Sequence, residues 1–268
     1  KTAECEGIEK HGDDHVIEVD NKSLTHRPDL WGHYGMAREV AAITGKKLLD
    51  PVASHEFPGA AAIKVSIRDY TLCPRYSALV FENVKVGPSP LWLKYRLEAI
   101  GLNPINNIVD VTNYVLAELP QPMHAFDADK LRGGEIIVRS ANDGETMAAL
   151  NGESYTLDSS NLVIADAEGA IAVAGVIGGA DSSISATTTR IVLESANFNA
   201  SSVRKTSSKL KLRTDASMRF EKALDPVNTL RGLQRAYALL LEVCPGIRLV
   251  GGVADNLRPL EAAPAIEL

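Results

Sequence analysis

Thr112, Asn113 and His124 place a hydroxyl, an amide and an imidazole in one short stretch, NPINNIVDVTNYVLAELPQPMHAFDA (Asn103–Ala128). Such a set can line a small polar pocket and hold a water molecule. A histidine met alone is more often a satisfied loop residue than a catalyst, but an imidazole changes charge near neutral pH, so His124 can also act as a general base or simply orient that water. No Ser–His–Asp arrangement accompanies it, so a covalent intermediate is not expected. Glu194 lies in IVLESANF, inside an apolar run. A carboxylate there is costly unless paired or hydrogen-bonded, so it is either the partner of a buried arginine or backbone N–H, or part of a site. Arg204, Lys205, Lys209, Lys211 and Arg213 form a basic run without an acid. It reads as a solvated helix end or as a phosphate contact.

Two other motifs carry less. AGVIGGAD (Ala174–Asp181) lacks the Lys-Ser/Thr of a P-loop and the spacing of a dinucleotide fingerprint. Its glycines serve a tight turn or a close approach to a ligand. HGDDH (His11–His15) offers imidazoles and carboxylates, but neighbours in one tight loop do not converge on one ion, and a solvated turn is expected. No metal site is expected elsewhere.

The elements that must position these groups follow from periodicity. Asn106 or Asn107 is a good helix N-cap, and Ile108, Val111, Val115 and Leu119 then share one helical face, with Thr112 and Asn113 off that stripe. The helix should stop before Pro120, and a stiff Pro-Gln-Pro-Met turn should present His124 in a loop. Earlier, His15–Asp20 reads as a strand, and a helix opens at Asp29 and ends at Gly45. Leu48–Ala62 reads as a linker. Ile63–Ile67 and Arg75–Val86 are strands, and Ser89 caps a helix that Gly101 ends. Short strands follow at Glu135–Arg139, Ser154–Leu157, Leu162–Ala165, Ala170–Ala174 and Arg190–Ser195, a spacing that signals a sandwich or barrel. Ala200–Leu210 and Pro226–Val243 are helical, and Ile247–Ala254 is a last strand. Helices and antiparallel strands in blocks give an α+β class.

Bulk properties narrow the function. The 268 residues suffice for one large domain or two modest ones, and 45% hydrophobic with 23% charged residues is ordinary for a soluble protein. A net charge of -6 argues against wholesale nucleic-acid coating but leaves a local contact open. No apolar run is long enough to span a bilayer, and the opening KTAECEGIEK has no apolar core of a signal peptide. Cys5, Cys73 and Cys244 are odd in number and far apart, which fits reduced thiols in a cytoplasmic protein. The chain opens on Lys1 rather than Met and reads as a fragment.

NNIVDVTNYV followed by QPMHAFDADKL resembles the B3/B4 editing region of bacterial phenylalanyl-tRNA synthetase β subunits. Leu150-Asn151-Gly152, AGVIGG (Ala174–Gly179), VLESANF (Val192–Phe198) and RTDASMRFEKALDP (Arg213–Pro226) extend the resemblance, and HRPDLWGHYGMAREVAAITG (His26–Gly45) is similar to the end of the preceding B1 domain. The family usually has Asn where His26 stands. The resemblance implies a three-layer fold around a β-sandwich, preceded by a small α/β segment. It divides the chain into a B1-like part (1–47), a linker (48–62), an editing domain (63–256) and a linker toward a further domain (257–268). It implies hydrolysis of mischarged Tyr-tRNA(Phe). Glu194 would recognise the para-hydroxyl of tyrosine, Gly175 would line the pocket by its backbone where a side chain would block the amino acid, and Leu150 would form an apolar wall. Thr112, Asn113 and His124 would position the ester, the terminal ribose and the water. The implied partners are tRNA(Phe) and the synthetase α subunit in an α2β2 enzyme, whose ATP and magnesium act outside this chain. The alternative is a non-catalytic scaffold for docking tRNA or for a subunit interface.

Overall fold

The computed structural model describes residues 4–11 and 14–258. Gly12 and Asp13 of the HGDDH cluster lie outside them. On either side of that gap, β1 (Glu4–His11) and β2 (Asp14–Asp20) pair antiparallel. A 3-10 turn at Pro28–Trp31 leads into α1 (His33–Thr44), which ends on Gly45 at φ +67. The helix does not begin at Asp29, because Gly32 is extended and breaks it. At Gly32 the backbone runs so close to Pro120 that a Cβ would lie 2.2 Å from its Cδ.

A four-stranded antiparallel sheet carries the candidate residues His124 and Glu194. Its strands are β4 (Arg75–Glu82), β5 (Met123–Asp127), β12 (Arg190–Asn197) and β13 (Arg248–Leu257), in the order β13-β4-β12-β5. A five-stranded sheet packs against one face. It comprises β3 (Lys64–Ile67), β6 (Glu135–Ser140), β9 (Leu162–Ala165), β10 (Ala170–Val173) and β11 (Ile177–Gly178), in the order β11-β10-β9-β6-β3. The hairpin of β7 (Thr146–Ala148) and β8 (Ser154–Thr156) adjoins it. Strands β3 and β6 run parallel, contrary to the antiparallel blocks expected, because the chain from β3 crosses β4 and two helices before returning as β6.

The other face of the four-stranded sheet is covered by α2 (Leu91–Ala99), α3 (Asn107–Glu118) and α6 (Asn228–Val243). The result is three layers with two cores. One core lies between the sheets and includes Tyr76, Val80, Phe126, Val138, Val163 and Val192. The second lies between sheet and helices and includes Leu79, Phe81, Ile108, Val111, Val115, Leu193 and Leu233. Two short helices, α4 (Ala200–Lys209) and α5 (Asp215–Phe220), add Val203 and Phe220 to the first core. Strand alternation assigns each residue to its core: on β12, Val192, Glu194 and Ala196 face the partner sheet, while Ile191, Leu193 and Ser195 face the helices.

Local chemistry sets the ends of these elements. Asn106 caps α3, accepting from the N–H groups of Ile108 and Val109 at 3.0 Å each. Ser89 does not cap α2. Its hydroxyl donates to Asp110 Oδ2 at 2.5 Å, while Asp110 Oδ1 accepts the Ile105 N–H at 2.7 Å. The buried carboxylate thus takes the hydroxyl that a free helix start would have used. Strand β4 stops at Glu82 because Asn83 turns the chain at φ +57. The stretch 48–62 has little regular structure but is fastened to α6 and β13. Arg231 pairs with Asp50 at 2.9 Å, Tyr237 meets the rings of His55 and Phe57 edge-on, and the Gly252 N–H donates to the Ala60 carbonyl at 2.8 Å.

Candidate functional site

His124 belongs to β5, an edge strand, and not to a loop. Pro122 stands just before the strand, where a missing N–H disturbs no interior ladder. Strand β5 pairs with β12 in a register that sets His124 opposite Glu194. Opposite residues of an antiparallel pair point to the same face, so imidazole and carboxyl sit side by side, facing the partner sheet. Phe126, two residues on, backs the imidazole edge-on with ring centroids 4.5 Å apart. The AGVIGG segment closes this spot. A Cβ on Gly178 would lie 2.9 Å from both His124 Nε2 and Leu150 Cδ1, so only a glycine lets the backbone come this close. Half-exposed Leu150 forms the outer rim and is held there by its N–H donating to the Gly178 carbonyl at 3.0 Å.

The electrostatics follow from burial. His124 Nε2 is buried without a hydrogen-bond partner, and desolvation pushes the imidazole down to about 4. The ring is therefore neutral at physiological pH and keeps a nitrogen for an incoming donor or acceptor. Glu194 is buried and is pushed up to about 8 by desolvation, against a hydrogen bond from Tyr76 that favours the ionised form. Among the described residues no arginine pairs with it, and its hydrogen-bond partner is the Tyr76 hydroxyl rather than a cation.

The linkage gives a stability prediction. The folded carboxyl titrates near 8 and the unfolded one near 4.5. Stability is therefore full below pH 4.5 and lost as pH rises toward 8, since only the unfolded chain ionises freely in that window. Glu194→Gln keeps the acceptor for Tyr76 and removes the titration. It should raise stability by a few kcal/mol more at pH 8 than at pH 4, since each pH unit between 4.5 and 8 is worth about 1.4 kcal/mol. Urea unfolding of both forms at pH 4 and pH 8 checks this. A gain of equal size at both values would show that burial of the charge is not its cause.

The other expected residues occupy distinct places. Gly175, at φ +70, bends the same segment, but its missing side chain faces Val203, Phe198 and Phe220, whose atoms would lie 2.9–3.1 Å from a Cβ. Thr112 is buried on α3 and its hydroxyl donates to the Val109 carbonyl at 2.7 Å. Asn113 is half-buried on the same helix, which packs against β5. Among the described residues, neither makes a hydrogen bond to His124 or Glu194. In the basic run, Lys209 pairs with Asp158 and Arg213 with Glu221, and Arg204, Lys205 and Lys211 are exposed and form no ion pair among the described residues.

Two contributors lay beyond the sequence reading. Tyr76 is fully buried and its hydroxyl donates to Glu194 Oε2 at 2.9 Å. Its signal was an aromatic with a polar tip on the face of β4 that Ala78 and Val80 share. Thr214 caps α5 in a box with Ser217, and its hydroxyl donates to the Val176 carbonyl at 2.8 Å, which anchors the RTDASMRFEKALDP block onto the AGVIGG segment. Among the described residues, no group of three His, Cys, Asp or Glu is placed to hold a metal ion. The later glycines of AGVIGGAD pack against the protein itself, Gly178 against His124 and Leu150 and Gly179 against the Ile171 carbonyl.

Comparison with known proteins adds three findings. The family model described as the B3/4 domain matches residues 72–245. The phenylalanine–tRNA ligase β subunit of Solibacter usitatus is 72% identical over 256 residues, covering 95% of this chain and 33% of that protein. Its counterpart from Carboxydothermus hydrogenoformans is 49% identical over 258 residues, covering 95% of the chain and 32% of that protein. The chain thus spans about one third of the length of these curated relatives. Among solved structures, an N-terminal fragment of the phenylalanyl-tRNA synthetase β-subunit from Pyrococcus horikoshii matches with a TM-score of 0.40 at 14% identity, covering 78% of this chain and 64% of that one.

Proposed function

The chain belongs to the B3/4-domain family and is part of a phenylalanine–tRNA ligase β subunit, and from this premise we propose that its His124–Glu194 site hydrolyses tyrosine wrongly esterified to tRNA(Phe). One observation carries the reading: an unpartnered imidazole and a buried carboxyl stand in register on one sheet face. The two side chains divide the work. Glu194 takes the para-hydroxyl of tyrosine, which phenylalanine lacks. His124, neutral at physiological pH, holds the water that attacks the ester carbonyl and accepts its proton. The carbonyl carbon–ribose oxygen bond breaks, the ribose oxygen takes up a proton, and free tyrosine leaves. Thr112 and Asn113, on α3 beside the edge strand β5, are proposed to reach the terminal ribose and ester round that edge, and the backbone at Gly175 to shape the amino-acid pocket with Leu150 as its wall.

Chemistry makes the need plain. An apolar synthetic pocket rejects an added hydroxyl poorly, whereas a second site that bonds the hydroxyl selects strongly for it. Arg204, Lys205 and Lys211 are the proposed phosphate contacts, with Lys209 and Arg213 joining them on release from Asp158 and Glu221. ATP and magnesium serve ligation with the α subunit, in a cytoplasmic α2β2 enzyme, and no step here runs through them. Residues 63–256 form the proposed editing unit, 1–47 the end of a B1-like unit, and 48–62 and 257–268 its connections.

The test is deacylation of Tyr-tRNA(Phe) and Phe-tRNA(Phe) by the intact synthetase. Release of tyrosine well ahead of phenylalanine is expected. Equal or absent release of both would make this region a docking scaffold.

A further inference from the structure

Glu194 carries two oxygens, and the substrate hydroxyl needs one of them. We propose that Tyr76 is the positioning residue of this site, its hydroxyl holding Glu194 Oε2 so that Oε1 is the oxygen presented to the substrate. The inference rests on the recognition role of Glu194 given above.

The geometry comes from β4 and β12. Tyr76 stands opposite Ala196, and Glu194 stands opposite Ala78. Tyrosine and glutamate are therefore diagonal neighbours on one face, within reach of long side chains. The two alanines leave room for the phenol to lie along the sheet toward the carboxyl, where it donates to Oε2 at 2.9 Å. Among the described residues, Oε1 makes no hydrogen bond. Packing alone does not need this hydroxyl: the ring fills the core between the sheets as a phenylalanine would. A buried phenol finds a partner, and here that partner is the carboxyl of the candidate site.

The consequence is positional and electrostatic. A glutamate side chain on its own rotates about three bonds, and one fixed oxygen removes most of that freedom before the substrate arrives. The titratable groups around the carboxyl are Tyr76 and Cys73 on the β4 side and His124 on β5, and the α4–α5 residues behind the AGVIGG segment, Val203 and Phe220, are apolar. The Tyr76 hydrogen bond favours ionised Glu194 against desolvation, so its removal must raise the pH at which Glu194 ionises.

Tyr76→Phe, Glu194→Ala and the double variant in the intact synthetase test this. The measurement is single-turnover deacylation of Tyr-tRNA(Phe) and Phe-tRNA(Phe) between pH 6 and pH 9. Tyr76→Phe should reduce the tyrosine-over-phenylalanine preference by about three- to tenfold, the worth of one hydrogen bond. It should also move the titration of that preference, near pH 8 in the parent, to higher pH. In the Glu194→Ala background it should reduce the preference no further, because Tyr76 acts through Glu194. The preference is a ratio taken on one sample, so partial misfolding lowers both rates and leaves it unmoved. An unchanged preference and titration in Tyr76→Phe, or the same loss with and without Glu194, overturns the positioning role. Full preference in Glu194→Ala alone overturns the recognition role beneath it.

Discussion

Glu194→Ala in the intact synthetase is expected to slow deacylation of Tyr-tRNA(Phe) roughly ten- to a hundredfold. Above pH 8, where the carboxyl is ionised, a hydrogen bond to it contributes about 1.5–3 kcal/mol, which corresponds to that range; at neutral pH, where it is largely protonated, the bond is worth about 0.5–1.5 kcal/mol and the loss should be about three- to tenfold. The loss should fall on the binding and placement of tyrosine, because His124 and its water are untouched. Phe-tRNA(Phe) should be spared, so the preference for tyrosine shrinks with the tyrosine rate. The carboxyl sits near 8 in the free protein, so phenylalanine leaves behind a largely neutral group rather than a bare charge. Under the proposed function, discrimination would come from the bond tyrosine gains more than from a penalty on phenylalanine. Single-turnover rates for both esters decide it, and a Glu194→Ala variant with full tyrosine preference would reduce Glu194 to a structural carboxyl.

His124→Ala should behave in the opposite way. A positioned base contributes about a hundredfold or more, and its loss should slow both esters alike and leave the preference close to that of the parent. The pH profile carries a second signature. Burial holds the imidazole near 4, and only its neutral form can take a proton from water. The parent rate should rise with pH through about 4 with no step at the ordinary histidine value of 6.5, and only the tyrosine ester should show a later change, near 8 where Glu194 titrates. In His124→Ala the rise near 4 should vanish. A profile that steps near 6.5 in the parent would show that His124 is solvated during turnover, and a preserved rise in the variant would remove it as the base.

Much of this framework was legible in the residues, and the exceptions share a physical cause. The cap at Asn106, the stripe Ile108–Val111–Val115–Leu119 and the stop before Pro120 are local, and local rules found them. Strand β12 was visible in its apolar run, and Glu194 stood out as the charge inside it. His124 was assigned to a loop because Met123–Asp127 is short and follows two prolines, and what makes it a strand is pairing with β12, far along the chain. Non-local pairing also hid Tyr76, whose importance appears only when β4 and β12 are laid side by side. Ser89 looked like a cap until Asp110 claimed its hydroxyl. Gly175 and Gly178 were both plain as glycines in AGVIGGAD. Which one meets His124 and which one meets Phe220 is decided by the path of the loop, and no single position states that path.

The two-core alternation of β12 has a consequence for how such a site can vary over evolution. Residues of that strand alternate between a core of sheet against sheet and a core of sheet against helix, with Glu194 facing one and Leu193 and Ser195 the other. Substitution can exchange one side chain for another without disturbing the count. Insertion or deletion of one residue between Arg190 and Glu194 would turn the carboxyl into the helical core and a leucine or serine toward His124. A lineage is therefore free to retune this site residue by residue but is held to the spacing of the strand, so drift in chain length should collect in the turns around it, such as Asn142–Gly144 and Asn151–Gly152, and spare the ladder itself.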